Sequence, residues 1–428
     1  MSLKSLSVSL YTVGWLCAIE EEELAALGML DAKHDSPTPC PISQNGYTYG
    51  EICDHNVVIV KLPAGQTGQA GASRTAVLFS ESFPTMKIYL FVGIGGGMPS
   101  NYYDNTDCQG SKRPIHLGDV VVASPKQTGV HAIVEYDRGR ETTNGFESFG
   151  LVGHPITELV IAVDKVESTW KDGGSPFHDH LVRLSPEKLR ERRVNYDFCK
   201  FERPDSSHDM LFKSEYKHVD KDDTTCSQCS KDHIIERDPS DLPAFHRGPI
   251  ASGNKVIQDA EKRDKLSDKY QHAICFDMEA AGVLLETNCL VIRGISDYAD
   301  SHKSYRWHNY AAATAAAFAR QLLYDMPPHN LQQVRAKRLS TQLPVAQASS
   351  SVAGPATTPS TIAEAPGNSA PGRPQIELPV APPQRQRNDA STNSSNAARA
   401  STPANSHAHR SGGNLQRTHK NDPKIPGN

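Results

Sequence analysis

The chain has 428 residues and a formal net charge of −4, from 45 Lys+Arg against 49 Asp+Glu. Residues 327–428 carry 11 basic and 4 acidic side chains, which leaves 34 basic and 45 acidic before them. An acidic folded part argues against general nucleic-acid binding, which depends on neutralising phosphates, and no apolar run reaches the roughly 18 residues of a membrane-spanning helix.

All aromatic residues precede Pro327, whereas 14 of the 29 prolines follow Met326. A segment without aromatic side chains and rich in Pro, Ser, Ala and Asn cannot bury enough apolar surface to repay its ordering entropy. Residues 327–428 are therefore expected to be disordered, and 8–326 to form one domain. The opening MSLKSLSVSLYTVGWLCAI imitates a secretion signal but runs straight into Glu20, Glu21, Glu22 and Glu23, so it reads as a buried first strand. Nine cysteines at irregular spacing do not form a disulfide framework, and a reducing cytoplasm (or nucleus) is the expected setting.

Short β-branched runs alternate with helical patterns, the signature of a layered α/β fold. Tyr11–Ile19 is expected as a buried strand, followed by a helix over EEEELAALGMLD with Leu24, Leu27 and Leu30 on one face. Tyr47–Cys53 and Val57–Leu62 flank Asp54-His55-Asn56 as a hairpin. Lys87–Ile94 is a strand ending in the run Gly95-Gly96-Gly97, Asp119–Ala123 a further strand and Ile156–Val166 a helix. Residues from about 170 to 245 are polar and irregular and read as an insertion. Order returns at Ile250, with a helix, a buried edge Ile274–Phe276, the helix DMEAAGVLLETN, the strand Leu290–Ile295 and an Ala-rich helix from about His308 to Tyr324.

Three acidic sites stand at or beyond the carboxyl ends of strands, where ligands bind in open α/β sheets. The glutamate run after the first strand can turn only one or two side chains toward a cleft, because successive helical residues point about 100° apart. Its simplest role is to complement the positive helix N-terminus. Glu279 lies among Phe276, Met278 and Ala280, and a carboxylate with apolar neighbours must find hydrogen bonds or stay protonated. Asp297 follows the strand in RGISDYAD, where it or Ser296 could also serve as a helix N-cap. FVGIGGGMPS is not a dinucleotide fingerprint: Met98 occupies the position of the required third glycine, and the glycines read as backbone that lets a ligand or another strand approach closely.

The spacing of CAIEEEELAA, FVGIGGGMPS, LGDVVVASP, ASGNKVI, FDMEAAG and RGISDYAD resembles the purine/uridine nucleoside phosphorylase superfamily. The likeness is greatest to its hydrolytic branch of 5′-methylthioadenosine/S-adenosylhomocysteine nucleosidases, and to the nucleoside-phosphorylase-like domains common in fungal proteins. It covers most of residues 8–325. The resemblance implies a three-layer αβα fold with a central mixed sheet, a soluble homo-oligomer, a small-molecule purine nucleoside or nucleotide as ligand, and no cofactor. It implies that Asp297 protonates the purine, that Glu22 activates water and that Arg293 orients it. Glu279, with the backbone of Met278, grips the ribose hydroxyls, while Val256 and Ile257 contact the base. Gly95 and Gly96 present backbone beside the sugar, with Ser296 next to the catalytic aspartate. Ile94 stands where the nucleosidases carry a serine.

Related phosphorylases hold phosphate with arginines, one of them on the loop after the first strand. Here that loop reads AIEEEE, which repels phosphate and can accept a proton from water. The expected activity is therefore N-ribosyl hydrolysis. A phosphate-dependent phosphorylase, and a non-catalytic purine-binding signalling module kept open by Ile94, are the alternatives. Cys226-Ser227-Gln228-Cys229 has zinc-knuckle spacing near His208, His218 and His233, but without a second CxxC the reading as loop thiols is favoured and no metal is expected. His302, Lys303 and Arg306 either form a solvated turn or line the 5′ side of the pocket.

Overall fold

In the computed structural model, which describes residues 3–41, 45–99, 114–143, 145–174, 177–191, 200–220 and 225–331, the apolar runs become strands of one mixed sheet. The first half contributes β1 (Lys4–Ser5), β2 (Val13–Cys17), α1 (Glu20–Met29), β3 (Ala32–Asp35), β4 (Tyr47–Ile52), β5 (His55–Lys61), α2 (Gln69–Ser82) and β6 (Ile88–Gly97). Next come β7 (Val120–Val122), β8 (Ile133–Thr142), β9 (Gly145–Val152), α3 (Thr157–Lys171), α4 (His178–Leu181) and α5 (Pro186–Glu191). The remainder is β10 (Phe245–Arg247), β11 (Ile250–Ser252), α6 (Ala260–Lys269), β12 (Cys275–Asp277), α7 (Ala280–Glu286), β13 (Leu290–Asp297), α8 (His308–Asp325) and α9 (Pro328–Leu331).

The sheet order is β1-β3-β4-β5-β2-β6-β12-β11-β8-β9, with β13 also paired to β6 and β7, and β7 to β10. Parallel pairs (β2 with β5 and β6, β6 with β13) adjoin antiparallel ones (β4 with β5, β12 with β6, β13 with β7), so the sheet is mixed. Helices cover both faces, and the alternation of side chains along each strand assigns them. Val13, Trp15, Val57, Ile59, Leu90, Val92, Leu290 and Ile292 pack with residues of α1, α3 and α8. Their neighbours Leu16, Val58, Val60, Phe91 and Val291 pack on the other face with residues of α2 and α7. The expected three-layer αβα architecture is the one observed.

Element bounds differ from expectation where they matter for the site. The glycine run does not end its strand: β6 continues to Gly97, and β12 pairs antiparallel against Gly96 and Gly97. A Cβ at Gly95 would lie 2.5 Å from the Cys275 sulfur and 2.7 Å from the Phe276 carbonyl oxygen, so the absence of a side chain admits the neighbouring strand. Likewise β13 runs through Asp297, with a bulge between Ile295 and Asp297, and no helix begins until His308, so neither Ser296 nor Asp297 is an N-cap. The hairpin turns on Cys53 and Asp54, both at positive φ (48° and 65°), and His55 already belongs to β5.

The stretch from 170 to 245 is largely irregular where described, yet it is not merely appended. Phe177, Leu184, Leu189 and Phe201 are buried in the core beneath α8. The described chain also extends past the boundary set at 326, since Leu331 of α9 is buried there too. Residues 332–428, and with them most of the tail expected to be disordered, lie outside the described residues. No helix among the described residues is long and apolar enough to cross a membrane.

Candidate active site

A cavity of about 220 Å³ opens at the carboxyl ends of β2, β6, β12 and β13. Its lining includes Glu22, Ile94, Gly95, Gly96, Val256, Ile257, Met278, Glu279, Ser296 and Asp297. Every residue expected in the site except Arg293 is among them, brought together from five separate stretches of chain. Cys226 and Cys229 do not line it.

Glu22 shows how the fold selects one acid from four. It is the buried glutamate of the run, in the first turn of α1, and its carboxylate turns back toward the strand end. Ala18 N–H (2.6 Å) and Ile19 N–H (3.2 Å) donate to Oε2, and Ile94 N–H donates to Oε1 at 2.9 Å. Ile94 thus serves Glu22 through its backbone, which is independent of its side chain. A Cβ at Gly93 would fall 2.3 Å from the Glu22 Oε1 and 2.5 Å from the Arg293 Nη1, so this glycine vacates the space in which carboxylate and guanidinium meet. Burial pushes the Glu22 carboxyl up, against the opposing pull of Arg293 and the three amide donors.

Arg293 lies behind the cavity wall, 1% exposed, on β13. Its Nε and Nη2 donate to Asp277 Oδ2 at 3.2 and 2.6 Å, its Cζ lies 4.0 Å from the centroid of the Phe91 ring, and its Nη1 has no hydrogen-bond partner among the described residues. Burial would strip such a group of its proton, but Asp277, Glu22 and Glu279 together hold Arg293 firmly protonated. Asp277 also accepts the Ala280 N–H at 3.0 Å, tying the start of α7 to the same charge.

Glu279 precedes α7, and its Oε1 accepts the N–H of Gly68, at the start of α2, at 3.0 Å. Burial, reinforced by Asp277, raises its carboxyl to about 7, with Arg293 and the Gly68 amide acting in the other direction. Asp297 is held from three sides. Ala299 N–H donates to Oδ1 (2.9 Å), Ser296 Oγ–H donates to Oδ2 (2.9 Å), and the Lys303 ammonium forms a short ion pair with Oδ2. Of the three cationic candidates after Asp297, only Lys303 lines the cavity. Arg306 meets His208 at 2.9 Å, and the His302 ring stacks on Phe212.

Several lining or supporting residues escaped the sequence reading. Asp277, Gly93 and Gly68 support the charged groups, and Ala18, Ile19, Thr67, Lys255, Phe276, Asp277 and Ala299 also line the cavity. Asp277 carried a signal, since a strand ending in an acid two residues before Glu279 on a buried edge calls for a cation. Gly68 carried none, because its partner is distant in the chain.

No family model matches the chain. It is 35% identical over 335 residues to a nucleotide-binding leucine-rich repeat (NLR)-like protein of Hyaloscypha variabilis, a match covering 77% of this chain and 31% of that protein. It is 33% identical over 87 residues to a death domain-containing ATP nucleosidase of Amphimedon queenslandica, covering 19% of this chain and 16% of that one. The chain therefore spans about a third or less of the length of the curated relatives it matches. Among solved structures it is similar to 5′-methylthioadenosine/S-adenosylhomocysteine nucleosidase of Neisseria meningitidis in complex with methylthio-immucillin-A (15% identity, 74% of this chain and 99% of that one, TM-score 0.44). Futalosine hydrolase of Helicobacter pylori is similar at 16% identity over the same shares, with the same TM-score.

The buried Arg293–Asp277 pair yields a stability test. Breaking a buried pair by removing one partner strands the other charge and costs about 3–5 kcal/mol. Asp277→Asn is expected to lower stability by about that amount in denaturant titration, and Arg293→Met in the same chain to recover part of the loss. An Asp277→Asn protein within about 0.5 kcal/mol of wild type would show that the pair does not support the fold.

Proposed function

We propose that this domain is an N-ribosyl hydrolase that cleaves the glycosidic bond of a purine nucleoside or nucleotide. The observation that carries this reading is the convergence on one cavity of Glu22, Glu279 and Asp297, three acids in three different hydrogen-bond environments, with no arginine on the loop after β2 to hold phosphate. The 87-residue likeness to a protein named an ATP nucleosidase agrees with it.

In this reading the purine lies toward Val256, Ile257 and Phe276, an apolar wall braced by the edge-on ring of Tyr136. Asp297 delivers a proton to the base, which then leaves neutral, and Lys303 on the same carboxylate can resupply that proton. Ionised Glu279 accepts from the ribose hydroxyls and opposes the positive charge that develops on the sugar. Glu22 takes a proton from water as the oxygen bonds to the anomeric carbon. Its amide donors fix the carboxylate, and the unpartnered Nη1 of Arg293 beside it is the donor available to orient that water. Arg293 also balances three buried carboxylates, which otherwise could not all ionise. Lys255 and Lys303 bring positive charge to the cavity lining, which supports a 5′-phosphorylated substrate within the class.

Purified protein is expected to release free purine from at least one member of a nucleoside and nucleotide panel without added phosphate. Asp297→Asn should lower the rate by roughly 10²–10⁴-fold, the usual worth of a general acid, with melting behaviour close to wild type. An Asp297→Asn protein of undiminished rate would remove the general acid from the reading.

The raised carboxyl of Glu279 predicts a pH profile. Ionised Glu279 is the active form, so kcat/KM should fall as pH drops through about 7. The sign for stability is opposite: the neutral form suits the fold, so this group's contribution is fully present below the ordinary carboxylate range and is lost as pH rises toward about 7. In Glu279→Gln the acid limb of kcat/KM should disappear along with most of the rate. An unchanged limb in that variant would assign it to another group.

A further inference from the structure

The CxxC segment of the insertion takes no part in the cavity, yet the fold brings it what the sequence lacks. Cys226 stands at positive φ (57°), and Cys229 N–H donates to the Cys226 carbonyl at 3.1 Å, closing a tight turn. The donor atoms of His218, Cys226 and Cys229 lie within 4.8 Å of one another, with Cys229 buried and the other two half-buried. Tetrahedral ligands about 2.0–2.3 Å from a zinc ion stand roughly 3.3–3.8 Å apart, so a small contraction would close the set.

An independent observation points to the same place. His302 has a side chain only 3% exposed, and both of its ring nitrogens are buried without a hydrogen-bond partner. Its contact with Asp300 Oδ1, at 3.8 Å, is too long for a hydrogen bond. The ring stacks on Phe212 (centroids 3.9 Å apart) and meets the His218 ring edge-on at 5.2 Å. A buried imidazole with two idle nitrogens is costly unless something accepts its lone pair.

We propose that His218, Cys226, Cys229 and His302 bind a structural zinc ion. Two thiolates and two imidazoles match the softness and the closed tetrahedral geometry zinc favours, and the complex of Zn²⁺ with two thiolates is electrically neutral, which suits a site this enclosed. The ion would staple two segments that the protein already holds side by side. His218 N–H donates to Ser301 Oγ at 3.0 Å, and the bridge Phe212–Ile234 closes the insertion around the turn. His302 directly precedes Lys303, the residue on Asp297, so the zinc would position the catalytic aspartate's neighbour without touching substrate. This site stands independently of the reaction assigned to the cavity.

The test is elemental analysis of the full chain, purified without metal-affinity resin and dialysed against metal-free buffer. One zinc per chain is expected, and exchange with Co²⁺ should give the intense visible bands of a tetrahedral site together with thiolate-to-cobalt charge transfer. The wild-type cobalt spectrum needs no variant to fold. Cys226→Ser with Cys229→Ser should abolish the bound metal, whereas Cys40→Ser should keep it. His302→Ala should weaken zinc affinity at least tenfold in competition with a chelator. A wild-type protein with only trace zinc and no cobalt–thiolate band would overturn the site, and wild-type affinity in His302→Ala would overturn the fourth ligand.

Discussion

Arg293 is the one buried cation among Asp277, Glu22 and Glu279, and the arrangement of the site follows from that arithmetic. Two of its donors go to Asp277, which fixes the start of α7 and thereby the position of Glu279. The third side of the guanidinium faces Glu22 across the space that Gly93 leaves open. Without this charge the carboxylates would each have to stay protonated or leave the interior, since burying isolated negative charge costs several kcal/mol per group. With it, one glutamate is held by three amides, another is poised near neutrality, and the aspartate of β13 is set apart with its own lysine. Three acids of similar intrinsic strength therefore stand in three different surroundings of charge and hydrogen bonds.

The layered fold was legible because strands and helices followed their periods: Val13, Trp15 and Cys17 face one way and Leu16 the other, as an alternating buried strand requires. Glu22, Glu279 and Asp297 were legible because each follows or ends an apolar run, but neither composition nor spacing alone could bring them together. That step came from resemblance, and the cavity now unites them. What the sequence did not disclose depends on contacts distant in the chain. Helix α2 went unread, since its Ala72, Ala76 and Phe79 alternate with glycine and serine, yet its Gly68 cap supplies the amide on Glu279. The hairpin of β8 and β9 was missed because its exposed half is charged and its pairing shows only in register. The glycine run was legible as backbone that another strand could approach, and β12 packs there; what went unread is that β6 itself continues through it to Gly97.

The insertion illustrates the same limit. Read locally, two cysteines and scattered histidines were insufficient for a metal site. In the fold, the His218 donor comes within 4.8 Å of both thiols, the buried His302, from a segment remote in sequence, meets the His218 ring, and Phe177, Leu184 and Phe201 tie the same insertion into the core under α8. With zinc bound as proposed, the insertion would reinforce the side of the cavity that carries Lys303 and Asp297.

In the proposed reaction water, activated at Glu22, is the nucleophile. This is tested most directly by running the reaction in ¹⁸O-labelled water with phosphate present and determining the label on the sugar product by mass spectrometry. Hydrolysis would yield free ribose, or its 5′-phosphorylated form, carrying ¹⁸O at the anomeric hydroxyl, with a rate indifferent to phosphate. A ribose 1-phosphate product without label would contradict it and would make the cavity that of a phosphorylase.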